Sequence, residues 1–197
     1  MDTEIEAKFT DIDADDLRKK LRKLGAVLVH PEILMRRKVC HHPTNKQNDW
    51  FRVRDEGNGK ITLSYKKVND RTLHGTQEIS YVVPDFDQAC RFLEGAQLKF
   101  TSYQETKREA WRLDDVDITL DTWPWVPTFV ELEAPTEKAV RAVATKLGFN
   151  FAKALHGSVE NVYQQHYNVT EQDVDSWPEI TFVPVPEWLE KKRLKNK

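Results

Sequence analysis

The chain has 197 residues, 39% hydrophobic and 31% charged, with a formal net charge of −2. That length suffices for one well-cored domain or two small ones. The near-zero charge balance gives no support for general attraction to nucleic acid or to an anionic membrane.

The opening MDTEIEAKF lacks the basic segment and apolar core of a secretory signal. No apolar run nears the roughly 20 residues of a membrane-spanning helix. Cys40 and Cys90 are the only cysteines and form no CxxC pair, so neither a zinc site nor a disulfide framework is indicated. The expectation is a soluble, cytoplasmic protein, monomer or homodimer, with no nucleic-acid or membrane partner.

In chain order, EIEAKF (4–9) alternates charged and apolar residues at the period of a strand. DADDLRKKLRKLGA (13–26) has leucines at 17, 21 and 24 and a glycine stop at Gly25, which predicts an amphipathic helix. MRRKVCHH (35–42) reads as a strand. DWFRVRDEGNGKITLSYKKV (49–68) reads as a hairpin around Gly-Asn-Gly, and GTQEISYVVP (75–84) as a further strand.

DFDQACRFLEGA (85–96) predicts a short helix capped by an acid and stopped by glycine. Strands follow at 98–113, 115–123 and 128–135, then a helix over 135–149 that opens with Pro135 and Thr136 and ends at Gly148. A last short helix is expected over 158–167. The chain is expected to divide into a domain over 1–172 and a C-terminal tail over 173–197, which mixes prolines and tryptophans with a basic end. The pattern describes one α+β domain on a large or closed antiparallel sheet with a few helices.

The chemistry lies in the polar faces of the strands. Glu4, Glu6 and Lys8 share one face; so do Arg52 and Arg54, and so do Thr62, Ser64 and Lys66. Glu78 lies with Thr76 and Ser80, Arg108 with Thr106, Asp121 with Thr119, and Phe129 with Glu131 and Glu133. Such faces are often simply wet, as on one side of an ordinary antiparallel sheet.

Here, however, acids and bases cluster by strand, and the helices need the apolar faces to pack on. If the sheet closes with helices outside, the charges point into a lumen. Unpaired buried ions cost several kcal/mol each, so the lining must be neutralised by mutual ion pairs or by ligands. Two Glu-x-Glu pairs with Asp121 suit a hard divalent cation such as Mg²⁺ or Mn²⁺. Lys8, Arg52, Arg54, Lys66 and Arg108 suit a polyanion.

In this order EIEAKF, WFRVR, LSYKK, the following QE, TKREAW, LDTW and FVELE resemble the CYTH domain, the triphosphate tunnel metalloenzymes, over roughly residues 2 to 170. That family includes class IV adenylyl cyclases, thiamine triphosphatases and inorganic triphosphatases. The resemblance implies an eight-stranded antiparallel β-barrel, a tunnel with a charged interior and helices packed outside. It implies Glu4, Glu6, Glu131 and Glu133 as ligands of one or two divalent metals, helped by Asp121. Lys8, Arg52, Arg54, Lys66 and Arg108 would hold a triphosphate, and Glu78 would orient the basic groups or join the metal side.

Departures from the family pattern leave the substrate open. Thr106 stands where a basic residue is common, so Arg36 or Arg37 could substitute, and Arg37 is taken as substrate-binding. Lys107 would point outward in a regular strand. MRRKVCHH lacks the acidic-aromatic pattern common in the second strand, and DTWPWVPTFVELE lacks the Leu-Gly-Phe spacing associated with the cyclases.

The expected activity is metal-dependent hydrolysis of inorganic triphosphate, thiamine triphosphate or a nucleoside triphosphate, with Lys8, Lys66 and Arg54 as catalytic candidates. Lys8 or Lys66 would orient or deprotonate water, the second role requiring a lowered pKa. The alternatives are a class IV adenylyl cyclase converting ATP to cyclic AMP and pyrophosphate, and a non-catalytic nucleotide or polyphosphate binder.

GNGK (57–60) lacks the spacing of a P-loop and reads as a hairpin turn. Adjacent His41 and His42 would face opposite ways in a strand and so cannot share a metal. Trp123, Pro124, Trp125 and Pro127 read as packing at a strand connection, and Trp177 and Trp188 as docking on the body or serving a dimer contact.

Overall fold

In the computed structural model, residues 1–41, 49–70 and 72–195 are described. The N-terminal stretch forms two short strands, β1 (Asp2–Glu4) and β2 (Glu6–Phe9), broken at Ile5. After α1 (Ala14–Lys23) come β3 (Val27–His41), β4 (Asp49–Asp55), β5 (Ile61–Val68) and β6 (Thr76–Val83). Next are α2 (Phe86–Gly95), β7 (Phe100–Leu113), β8 (Val116–Thr122), β9 (Phe129–Glu133) and α3 (Glu137–Leu147). A 3₁₀ turn at Phe151–Lys153 leads to α4 (Glu160–His166), α5 (Glu171–Asp175), β10 (Glu179–Ile180) and α6 (Glu187–Glu190).

The sheet runs β1-β6-β5-β4-β3-β7-β8-β9-β2 in antiparallel pairs, with β10 added to β7 in parallel. Its two ends belong to the same N-terminal stretch: Glu4 pairs with Thr76 on β6, and Lys8 pairs with Glu131 on β9. The break at Ile5 lets one segment reach from one edge to the other, which nearly closes the barrel. The expected eight strands are recovered when β1 and β2 are taken as one; the backbone break divides them.

The helices form because caps and apolar spacing agree. Asp13 caps α1 by accepting from the Asp16 amide, and Leu17 and Leu21 are buried. Thr136 caps α3, and Gly148 ends it in the left-handed region at φ 84°. Together α1 and α3 cover the outer faces of β8 and β9, where Ile118, Val130 and Leu132 are fully buried. Each such side chain contributes about 1.5–3 kcal/mol by leaving water.

On the other side, Phe86, Ala89, Cys90 and Leu93 of α2 pack on Cys40 and Val53. This helix departs from its predicted glycine stop: Gly95 is its last helical residue, and Gln97 takes the left-handed conformation, at φ 64°.

Other departures concern extent. β3 begins at Val27, well before the expected 35–42, and register shifts between Leu28 and Ile33 explain why no clean alternation marks it. His42 lies outside the described residues. GNGK is a hairpin turn with Gly57 at φ 73°, where an added Cβ would lie 2.2 Å from the Leu34 carbonyl oxygen. The tail carries β10 and α6, and α5 straddles its expected start at 173; the sequence reading assigned none of the three. It buries Trp177, Ile180 and Leu189 against Trp123, Phe129 and Tyr163. Trp188 remains exposed and edges onto Trp177 with ring centroids 5.2 Å apart. Among the described residues, no helix is long and apolar enough to cross a membrane.

Candidate active site

The strand period sends every second side chain inward, and the closed circuit gathers those side chains around one lumen. Glu4, Glu6, Lys8, Arg37, Arg52, Arg54, Lys66, Glu78, Arg108, Asp121, Glu131 and Glu133 all line it. Every candidate site residue named from the sequence is therefore brought to one cavity. The second-strand ambiguity resolves in the structure: Arg37 is buried in the lumen, whereas Arg36 is exposed and pairs with Asp55 at 3.2 Å. Lys107 points outward and pairs with Glu32.

Two walls differ in sign. The basic wall is built by β3, β4 and β7, which contribute Arg37, Arg52, Arg54 and Arg108. Arg37 stacks over Trp123 at 4.7 Å and donates to Thr106, the residue standing where another base was expected. Burial, with Arg54, Arg52 and Arg108 nearby, holds the Arg37 guanidinium well below its usual range. Its Nε and that of Arg52 are buried with no hydrogen-bond partner among the described residues. Burial and Arg52 also press Arg54 down to about 10, against the support of Glu56 at 2.7 Å. A cluster of this kind is short of negative charge.

The acidic wall comes from β1, β2, β6 and β9 and is threaded by two lysines. Lys8 Nζ lies 2.7 Å from Glu6 Oε1, 2.9 Å from Glu131 Oε2 and 2.7 Å from the Gly157 carbonyl oxygen. Burial opposes its charge, but Glu131 and Glu6 outweigh burial and hold the ammonium above its usual range. Lys66 bridges Glu4 at 2.9 Å and Glu78 at 2.7 Å, and is also raised against burial, chiefly by Glu4. Arg52 reaches across to Glu78 at 3.2 Å. Arg108 forks onto Asp121 with contacts of 2.6 and 2.8 Å.

The acids are unequally satisfied. Glu131 is held below the usual range because Lys8 and Arg108 overcome its burial. Glu133 is exposed as a residue but also lines the lumen, and it makes no ion pair among the described residues; desolvation there, then Glu131 and Glu6, push it up to about 7. Glu4 is pushed up to about 8, mainly by burial and by the neighbouring carboxylates Glu78 and Glu6.

No group of three or more His, Cys, Asp or Glu stands in metal-holding geometry among the described residues. Two acids pushed up by burial and by neighbouring carboxylates nonetheless fit a divalent cation, and the all-oxygen donor set fits a hard one. Glu6 and Glu131 are engaged by Lys8 and Asp121 by Arg108, so their part in a cation site requires those bases to turn toward an anion.

Some residues at or beside the lumen escaped the sequence reading. Glu56, which holds Arg54 and accepts from Thr62, shares Arg54's face two residues on, and that spacing could have marked it. Ser102, Gln104 and Trp123 also line the lumen, and from the C-terminal part so do Glu160, Glu171 and Asp175. Only tertiary folding brings that last group in.

The CYTH domain matches residues 2–167. The chain belongs to the CYTH family. Solved structures agree on the fold. PH1012 from Pyrococcus horikoshii OT3 shares 22% identity with a TM-score of 0.69, covering 81% of this chain and 98% of its own. A Vibrio parahaemolyticus protein described as an adenylate cyclase candidate shares 15% with a TM-score of 0.70, covering 82% and 98%. HpAC1 from Hippeastrum, an adenylyl cyclase candidate described as having a dominant triphosphatase activity, shares 13% with a TM-score of 0.55, covering 89% and 95%. No curated protein matches the chain. CYTH proteins bind triphosphate substrates in such a tunnel and are generally metal-dependent.

Proposed function

We propose that this CYTH protein hydrolyses a substrate bearing a triphosphate, bound in the lumen with a divalent cation, Mg²⁺ or Mn²⁺. The observation that carries the reading is the facing of an undercompensated basic wall by an undercompensated acidic wall across one cavity. Burial and neighbouring arginines hold Arg37 and Arg54 below their usual range despite the Arg54–Glu56 contact, and burial and neighbouring carboxylates hold Glu4 and Glu133 above theirs despite the Glu4–Lys66 contact. A triphosphate and a cation arriving together satisfy both.

Phosphoryl transfer asks the protein mainly to hold the phosphate chain in line and to offset its growing charge. Arg37, Arg52, Arg54 and Arg108 bind the phosphate oxygens in this reading, with Glu78 and Glu56 fixing the guanidinium planes of Arg52 and Arg54. Glu4, Glu6, Glu131 and Glu133, with Asp121, would hold the cation, which when bound offsets phosphate charge and activates water. Lys8 and Lys66 both stay protonated at neutral pH. Their role is therefore to orient water and the phosphates and to offset charge, not to abstract a proton. Water attacks the terminal phosphorus in line, the bond from that phosphorus to the bridging oxygen breaks, the diphosphate portion leaves, and the attacked phosphoryl group with the water oxygen becomes orthophosphate, the water's proton passing to solvent.

The test is incubation of the purified protein with tripolyphosphate, thiamine triphosphate and ATP, each with Mg²⁺ or Mn²⁺, and analysis of products by mass spectrometry. Orthophosphate with the matching diphosphate is expected from at least one of them. Cyclic AMP with pyrophosphate would replace hydrolysis by cyclisation. Tight binding with no product would leave a binder.

A further inference from the structure

The connection that follows β8 packs in the core, as its tryptophans and prolines suggest, and it also reaches the lumen. Trp123 stands directly after β8, is 8% exposed and lines the cavity. Its ring lies beneath the Arg37 guanidinium, with Cζ 4.7 Å from the ring centroid. Two tyrosines pin this connection from behind. Tyr163 donates to the Pro124 carbonyl at 2.9 Å, and Tyr167 donates to the Trp125 carbonyl at 2.7 Å. Between them Trp125 takes the left-handed conformation at φ 70°, which a bulky residue adopts only where its surroundings impose it.

Arg37 is thereby fixed twice over. Stacking on the indole sets the plane of the guanidinium. Donation from Nη2 to Oγ1 of the fully buried Thr106 sets its rotation within that plane. Nε remains buried with no hydrogen-bond partner among the described residues, a donor held ready at a cost until an acceptor arrives. Arg52, Arg54 and Arg108 are held differently, each by a carboxylate: Glu78, Glu56 and Asp121. The groups that hold Arg37 are a neutral hydroxyl and an aromatic face, so they leave its charge to the ligand.

We propose that Trp123 and Thr106 are positioning residues that hold Arg37 as a preset anchor for one phosphate of the substrate. The inference rests on the triphosphate reading above and adds how affinity is set at that site. A guanidinium fixed beforehand has little rotamer freedom left to lose, so its ordering cost falls at folding and not at binding. An anchor already in place grips substrate and transition state alike. It therefore governs binding and leaves the chemical step nearly untouched.

The parent, Trp123→Leu, Arg37→Met and the double variant are titrated calorimetrically in Mg²⁺ buffer with tripolyphosphate, thiamine triphosphate and ATP. The ligand that the parent binds most tightly is then followed through the set. Each single variant is expected to weaken it about tenfold or more. The double variant is expected to bind no more weakly than Arg37→Met, because Trp123 then has nothing left to position. Single effects that multiply in the double variant give Trp123 a role independent of Arg37 and overturn the inference. Failure of the parent to bind all three ligands overturns the triphosphate reading and this inference with it.

Trp123 also packs in the core, so two milder variants separate position from folding. Trp123→Phe keeps an aromatic face and is expected to bind within about threefold of the parent. Thr106→Val keeps the volume and loses the hydroxyl; it is expected to weaken binding about threefold to tenfold in the parent and not at all beside Arg37→Met. Parent-like affinity in Thr106→Val or in folded Trp123→Leu overturns the preset anchor and leaves the triphosphate reading standing. In turnover of the same ligand, Thr106→Val is expected to raise KM with kcat within about threefold. A fall in kcat at unchanged KM overturns the anchor as well.

Discussion

Lys8 Nζ lies 2.9 Å from Glu131 Oε2, joining β2 to β9 across the seam that closes the barrel. The same ammonium holds Glu6, and it is only 4% exposed. Removing one partner of a buried ionic group costs about 3–5 kcal/mol, because the remaining charges lose their compensation. Lys8→Met is expected to lose stability on that scale in metal-free denaturant titration. Added Mg²⁺ or Mn²⁺ should recover part of it by supplying the missing positive charge, and no recovery would count against a cation site among these acids.

Glu4→Gln/Glu6→Gln should separate folding from chemistry. Glu4 is already pushed up to about 8, so an amide resembles the form it holds at neutral pH. Lys66 keeps Glu78, and Lys8 keeps Glu131. The melting temperature is expected to stay within a few degrees, while metal-dependent turnover falls by about a hundredfold or more. Retained turnover would remove these carboxylates from the cation site.

Arg37→Met should invert the usual relation between stability and function. The guanidinium is buried among other guanidiniums, so replacing it by an apolar side chain of similar length removes both a desolvation cost and a like-charge repulsion. Thermal melting is expected at or above the parent temperature, with triphosphate affinity reduced. A lower melting temperature would show that stacking on Trp123 outweighs the repulsion.

The pH dependence follows from Glu133 and Glu4, raised to about 7 and about 8 from 4.5. The folded protein keeps protons on these groups that the unfolded chain has already released. Unfolding then releases protons, and stability falls as pH rises from about 4.5 through 7 and 8. Melting curves of metal-free protein between pH 5 and 8.5 are expected to show this decline, flattened in Glu133→Gln. A profile that rises over that range would contradict it.

Trp177→Ala tests the docking of the tail. Trp177 is 7% exposed and meets Tyr163 at 5.3 Å and Trp125 at 5.9 Å between ring centroids. Losing a buried aromatic of this size costs about 3–5 kcal/mol, which a drop in chemical denaturation midpoint would report. A change under about 1 kcal/mol would mean that the tail is held elsewhere.

Much of the lumen was legible in the sequence because a strand has only two faces. Once EIEAKF, WFRVR and FVELE read as strands, Glu4, Arg52 and Glu131 had to share the side away from the apolar residues. Illegible was whatever depended on a break in that period or on distant partners. The start of β3 hides behind register shifts, and whether Arg36 or Arg37 faces inward is settled only by pairing with β4 and β7. The tail could not be placed because its proline-rich stretch has no period. Its reason for ordering lies in Trp123, Phe129 and Tyr163, far away in the chain.

The break at Ile5 sets the order of assembly. Residues 2–9 form the keystone of the barrel, yet Lys8 cannot seat until β9 has been made, and Glu4 must await β6. Pairing between the start of the chain and a strand so distant is slow, since loop closure must precede any gain from contact. During synthesis the charged N-terminal strand is therefore held back in water. The alternation of Glu4, Glu6 and Lys8 that later lines the cavity is also what keeps this waiting strand soluble.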